Sequence, residues 1–250
     1  MLDAIVGDMQ AQRPDHIAVT GDLVNLALEA EFAPARAWLA SVGAPDRVTV
    51  IPGNHDAYVR ATRHRFAEVF ADFMRSDADA AAGVAGLPVL RRRGPLALIG
   101  VSTAVPTAPL MATGRLGPAQ LEALERMLAE LSAESAFRVV LIHHPLHSAS
   151  RYKRLIDSAP LLALLKRYGV ELILHGHDHV HSTMWFDGPR GPIPSLGVPS
   201  ASSIAHGRYP AAAYNLFSIR RDGEEWRCEH SVRGIKDGLQ IEDLRHGRLV

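Results

Sequence analysis

Asp22, Asn54, His55, Asp56, His143, His177 and His179 are of the types that ligate transition metals and carry protons. The densest concentration is Glu171-Leu172-Ile173-Leu174-His175-Gly176-His177-Asp178-His179, an apolar run that stops at a glycine flanked by imidazoles. Four to six apolar residues bounded by breakers suit a buried strand better than a helix. Gly176 permits a sharp turn, and in extended backbone His177 and His179 would point the same way. Two neutral imidazoles on one side of a strand end are good ligands for a transition metal. Taken singly, each group has a plainer reading: Gly21-Asp22 as a turn, Asn54-His55-Asp56 as a helix cap, His175 or His181 as a packed side chain. Four successive strand ends carrying such residues (Asp22, Asn54, His143 and the His177/His179 pair) are hard to obtain by chance. In open α/β sheets ligands gather at the carboxyl ends of strands.

The elements that must position these groups follow from periodicity. Leu2, Ile5, Val6 and Met9 mark an amphipathic helix over 2–12. The segment 16–20 is a strand closed by Gly21-Asp22, 29–42 a helix stopped by Gly43, and 47–51 a strand broken by Pro52-Gly53. Helical spacing returns over 61–75, and 77–86 reads as a loop. The segments 87–90 and 96–101 read as paired strands around an arginine-rich turn, Arg91 to Pro95, whose arginines are expected to be solvated. Pro118 opens a helix with a leucine stripe, 137–142 is an apolar strand running into His143-His144-Pro145, and 152–168 is a helix. Beyond Val180 the pattern changes to short strands separated by Gly and Pro. No repeat, low-complexity tract or linker interrupts the chain, so one domain over 1–250 is expected.

Composition excludes several function classes. In 250 residues Lys plus Arg and Asp plus Glu each number 27, so no global field indicates nucleic acid or an anionic membrane. No apolar run has the length of a membrane span, and the N-terminus lacks the features of a signal peptide. The single cysteine, Cys228, rules out an internal disulfide framework and fits a reducing, cytoplasmic location. Seven of the 13 histidines fall between His143 and His181. Nothing in the composition specifies an oligomeric state.

Gly21-Asp22 with Asn25, Gly53-Asn54-His55-Asp56, His143-His144-Pro145 and Gly176-His177-Asp178-His179 together resemble the calcineurin-like metallophosphoesterase superfamily, in that family's order. The resemblance implies an α/β fold, a four-layer sandwich of two mixed β-sheets flanked by helices, holding two divalent metals (Mn, Fe or Zn). It implies that Asp22 bridges the metals, that Asn54, His143 and His177 complete one site, and that His179 belongs to the other. His55 would be the nucleophile's helper or the leaving-group acid, oriented by Asp56. The implied activity is hydrolysis of small phosphomono- or phosphodiesters, in layout closest to small bacterial phosphodiesterases of the cyclic-nucleotide type. Such chemistry needs charge neutralised on phosphoryl oxygens and a hydroxide at neutral pH, both of which divalent cations supply. Arg60, Arg63, His64 and Arg65, and Arg151, Lys153 and Arg154, are either phosphate contacts or ordinary solvated charges.

One piece of the family pattern is missing: no Asp-x-His precedes Asp22, and no strand precedes the helix over 2–12. Parallel strands need such a helix as a crossover between them. The expectation is therefore a first strand lost by N-terminal truncation, leaving 17–20 without a partner on one side and this chain weak or inactive. The alternative is a non-catalytic metal-binding or scaffold module derived from the same fold.

Overall fold

Two short parallel strands, β1 (Ile17–Val19) and β2 (Val48–Val50), pair in register from Ile17 opposite Val48 to Val19 opposite Val50. The computed structural model describes residues 1–62, 64–77, 86–236, 238 and 240–249. Among these, the strands form three sheets, and β1 has only β2 as a strand neighbour. The largest contains β3 (Val89–Arg93), β4 (Leu96–Gly100), β5 (Phe137–Leu141), β6 (Leu172–His175), β7 (Ser182–Phe186) and β8 (Ile193–Gly197) in the order β3-β4-β5-β6-β8-β7. It is mixed: β3 and β4 are antiparallel, whereas β4, β5 and β6 run parallel. The third sheet is antiparallel, with β10 (Glu225–Ile235) between β9 (Ala213–Asp222) and β11 (Ile241–Arg248). The helices are α1 (Leu2–Ala11), α2 (Glu29–Val42), α3 (Arg65–Val69), α4 (Ala71–Met74), α5 (Pro118–Ser132) and α6 (Ser158–Tyr168). The result is the mixed α/β architecture expected from the sequence.

The chain divides into two compact units: residues 1–14, 178–183 and 197–250, and residues 15–177 with 184–196. In the first, Ile5 of α1 packs with Ala212, Tyr214 and Ile235. Asp8 meets Arg233 at 2.8 Å and accepts a hydrogen bond from the Tyr214 hydroxyl at 2.5 Å. In the second, the leucine stripe of α5 (Leu124, Leu128, Leu131) and Leu161 and Leu165 of α6 bury against Ile99, Val140 and Ile173. A fully buried Arg138 on β5 is neutralised by Glu171 through two contacts of 2.8 and 3.0 Å. Removing one member of such a buried pair strands the other charge.

Several local expectations are corrected. The helix anticipated over 61–75 is a 3₁₀ turn at Arg60–Thr62 followed by α3 and α4, separated at Phe70, which leaves helical geometry (φ −104°, ψ 15°). Phe66, Phe70 and Phe73 are all buried. The helix expected over 152–168 begins only at Ser158, because 151–157 turns and Asp157 accepts the amide hydrogens of Leu116 and Gly117. Arg91 to Arg93 are strand rather than turn, and they are not merely solvated. Arg91 is 3% exposed and donates to the carbonyls of Arg75, Pro45, Val48 and Asp72. Arg92 pairs with Glu134, and Arg93 with Asp77. The strands beyond Val180 are longer than anticipated, ten residues in β9 and eleven in β10. The loop read over 77–86 lies mostly outside the described residues.

Candidate metal centre

Asp22, Asn54, His143 and His177 each follow a strand, respectively β1, β2, β5 and β6, and all belong to the second unit. The parallel strands end on the same side: Ile142 N–H donates to Leu174, and Gly176 N–H to the carbonyl of His143. The ring Nδ1 of His143 donates to the Thr20 carbonyl at 2.6 Å, tying the end of β5 to the end of β1. That bond places a ring hydrogen on Nδ1 and turns Nε2 toward Asn54 and Asp22.

Asn54 Oδ1 lies 2.9 Å from His143 Nε2 and 2.9 Å from His177 Nδ1, and His143 Nε2 is 3.3 Å from Asp22 Oδ2. Donor atoms bonded at about 2.0–2.2 Å to one cation stand roughly 3.0–3.4 Å from one another in octahedral or tetrahedral geometry. The observed spacings are close to those edges. Counting only His, Cys, Asp and Glu, no group of three or more that could hold a metal exists among the described residues. The convergence depends on the amide oxygen of Asn54. The Asn54 amide donates from Nδ2 to the Tyr58 hydroxyl at 2.5 Å, which turns Oδ1 toward the two histidines.

The backbone is shaped to the same end. Asp22 (φ 61°) and His177 (φ 68°) adopt left-handed conformations uncommon outside glycine. Strain of this kind persists where the surroundings over-determine it, and it clusters at functional sites. A Cβ on Gly53 would stand 2.1 Å from Asp22 Oδ1 and 2.7 Å from the His143 ring, and one on Gly21 would meet Gly53 N at 2.5 Å. Only glycine permits these loops to close so tightly. Gly176 is tight for a different reason from the turn anticipated: its Cβ would press on Thr20 Oγ1 at 3.2 Å. The extended alternation expected of His177 and His179 is absent as well, since both residues have positive φ.

Asp56 is the organiser of the Asp22 loop. Its Oδ2 accepts the amide hydrogens of Asp22 and Gly53, both at 2.8 Å, and its Oδ1 those of Leu23 (2.9 Å) and Val24 (3.0 Å). It does not orient the His55 ring, as the sequence reading supposed. The His55 Nδ1 instead donates to the Asn25 carbonyl at 2.7 Å, leaving Nε2 available, while the His55 amide donates to Asp22 Oδ1 at 3.0 Å.

Electrostatics favour a cation here. Burial would raise the Asp22 carboxyl, but the charge and hydrogen bond of His143, with His55, hold it down to about 2. Burial disfavours an imidazolium at His143, yet the Asp22 carboxylate outweighs it and moves this ring above the ordinary histidine value. Burial, then the nearby His143, pushes His177 down to about 3, so it is the neutral imidazole that a metal requires. Burial, then the Asp22 charge, pushes Asp56 up to about 7. The residues present therefore fit one divalent cation.

Other candidates fall elsewhere. His179 belongs to the first unit, where its ring lies 6.4 Å from that of Tyr209. Arg65 is taken up by Glu29 and Glu68, and Arg63 lies outside the described residues. The Arg151 guanidinium stacks over Tyr152 at 4.7 Å. Sequence reasoning missed Thr20, Tyr58 and the carbonyl of Lys153, which accepts His177 Nε2 at 3.0 Å. None of these had a signal in the sequence; Tyr58, four residues after Asn54, meets it only through the 3₁₀ turn His55–Ala57.

A protein named as a probable cyclic nucleotide phosphodiesterase from Synechococcus sp. is 26% identical over 231 residues, covering 90% of this chain and 80% of that one. Among solved structures, the Thermus thermophilus sulfate thiohydrolase SoxB in complex with glycerol aligns with 99% of this chain at 18% identity and a TM-score of 0.48. This chain spans 42% of that protein's length. The family model for calcineurin-like phosphoesterases matches residues 1–181, and the chain belongs to that family.

Proposed function

We propose that this protein is a metal-dependent phosphodiesterase acting on small phosphodiesters of the cyclic-nucleotide class. The observation that carries the reading is the convergence of Asp22 Oδ2, Asn54 Oδ1, His143 Nε2 and His177 Nδ1 at spacings of 2.9–3.3 Å. Their oxygen and nitrogen character suits Mn, Fe or Zn. A divalent cation held there would neutralise charge on phosphoryl oxygens and make water acidic enough to furnish hydroxide near neutral pH. Use of a second cation, bridged to the first by Asp22, is part of the proposal.

The chain's own residues supply the rest. Hydrolysis forms a bond from a water oxygen to phosphorus and breaks the bond from phosphorus to the ester oxygen, which departs as an alkoxide needing a proton. We assign that proton to His55, whose Nδ1 is anchored on the Asn25 carbonyl, which keeps Nε2 for the departing oxygen. Asp56 acts as a positioning residue, holding the loop that carries Asp22 through four amide hydrogens.

The test combines metal analysis with turnover. Protein loaded with Mn and freed of excess metal is expected to retain at least one ion per chain and to hydrolyse bis(p-nitrophenyl) phosphate and a cyclic nucleotide. Asn54→Ala is expected to lose both properties. Stable metal binding with no hydrolysis of any phosphoester would favour the scaffold reading instead.

A further inference from the structure

We propose that His144 is a positioning residue of the metal centre, its ring holding the His177 ring at the angle that turns Nδ1 toward Asn54 Oδ1. This rests on the four-donor reading above and adds to it the group that sets the direction of one donor.

The first observation is the contact between the two rings. A carbonyl only accepts, so His177 Nε2 carries the ring hydrogen and gives it to Lys153 at 3.0 Å. His177 Nδ1 therefore meets Asn54 Oδ1, 2.9 Å away, with a lone pair. One ring hydrogen bond leaves an imidazole able to pivot about it. The face of His144 opposes that pivot: its centroid stands 4.2 Å from that of His177, with the planes 40° apart. His143 meets the same ring at 5.2 Å and edge-on, at 74°.

The second observation is how His144 is itself held. Its Nε2 donates to the Ala112 carbonyl at 3.2 Å, so its Nδ1 accepts the Thr103 hydroxyl hydrogen at 2.7 Å. His144 and Thr103 are both fully buried. Gly114 gives the ring its slot, since a Cβ there would stand 2.3 Å from His144 Nδ1 and 2.6 Å from Cε1. The circuit closes on His177 through the backbone. Ala112 N–H donates to the Tyr152 carbonyl at 2.8 Å and Gly114 N–H to that of Arg154 at 3.1 Å. The segment that holds His144 is thus joined to the one whose Lys153 carbonyl holds His177. Filling space alone would need neither hydrogen bond, because an apolar side chain does so without buried polar partners to satisfy.

The experiment starts with metal-free protein, in which long-range 1H–15N correlation spectra report the tautomer of each imidazole. It continues with Co(II) as the probe, read by equilibrium dialysis and ligand-field absorption. Wild type is expected to show His177 as a single Nε2–H tautomer. Thr103→Val, which removes the hydroxyl, and Gly114→Ala, which crowds the His144 ring, are expected to average the His177 signals over both tautomers while His143 keeps its wild-type signals. Both should weaken Co(II) binding about tenfold and shift its absorption, the scale of losing a group that orients a ligand, with a cooperative melt retained. Thr103→Ser should restore the signals and the affinity. If Gly114→Ala fails to melt cooperatively, Thr103→Val decides alone. Wild-type His177 signals and a Co(II) Kd within twofold of wild type in Thr103→Val would overturn the proposal and leave the metal-centre reading standing. Equal disturbance of His143 and His177 would also overturn it, since that is general loosening of the core. Averaged His177 signals in the variants, with wild type that binds no Co(II), would support the positioning role while removing the metal-centre reading.

Discussion

At the scale of single residues, the candidate centre depends on side chains outside the four converging donors. Asn54 can serve two histidines with one oxygen because Tyr58 holds its nitrogen. Groups that orient metal ligands in this way commonly cost 10- to 100-fold in metal affinity or activity when removed. Tyr58→Phe is therefore expected to weaken Mn binding by about tenfold with little change in melting temperature, since the side chain is only partly buried. Equilibrium dialysis against Mn reads this directly, and an unchanged affinity would show that Asn54 needs no such restraint. Asn54 itself was legible in the sequence, because an amide between Gly53 and His55 at a strand end fits a ligand. Tyr58 was not legible as its restraint: a tyrosine four residues on becomes a partner only if the backbone coils, as it does in the 3₁₀ turn His55–Ala57.

At the scale of elements, two devices hold strand ends together. One is glycine. Gly53→Ala is expected to displace Asp22 and His143, lowering hydrolysis by at least about 100-fold and the melting temperature by several degrees, in line with the cost of overpacking. Circular dichroism melting with an ester-hydrolysis assay checks both, and retention of full activity would contradict the close approach. The other device is His16, just before β1. Arg93 Nε donates to His16 Nδ1 at 3.1 Å, so Nε2 carries the hydrogen and donates to Thr49 Oγ1 of β2 at 2.7 Å. Burial, then the charges of Arg93 and Arg91, push this histidine down to about 3, with Asp77 and Asp46 opposing weakly. Its stabilising effect is thus complete above the unfolded value near 6.5 and is lost as pH falls toward the folded one. Between pH 7.5 and 5 the loss should be on the order of 1–2 kcal/mol after allowing for partial exposure. Urea denaturation at the two pH values is expected to show that loss in wild type and a flatter dependence in His16→Gln.

At the scale of the whole molecule, a ligand that binds only the folded chain stabilises it by mass action. Mn at about 100 times its dissociation constant should add about 2.7 kcal/mol, and a chelator should remove the gain. A melting temperature indifferent to metal and chelator would argue against the four-donor centre. No helix among the described residues is long and apolar enough to cross a membrane. The family assignment spans residues 1–181, and the three-stranded sheet β9–β11 lies beyond it.

By itself the sequence determined the order of most elements, the breaker residues that end the site-bearing strands, and the identities of the metal-type side chains. Those features are local: apolar periodicity, glycine and proline, and residue chemistry are all carried by a few adjacent positions. Only the tertiary structure decided that Asp56 holds the Asp22 loop rather than the His55 ring, because its four amide partners include three that lie 32 to 34 residues away. Arg91 likewise reads as a solvated turn residue until β3 folds over the carbonyls of Pro45 and Val48, more than 40 positions earlier. The same holds for Lys153, whose backbone oxygen meets His177 across 24 residues. Hydrogen bonds to distant backbone groups leave no periodic trace in a sequence, since any residue supplies a carbonyl or an amide.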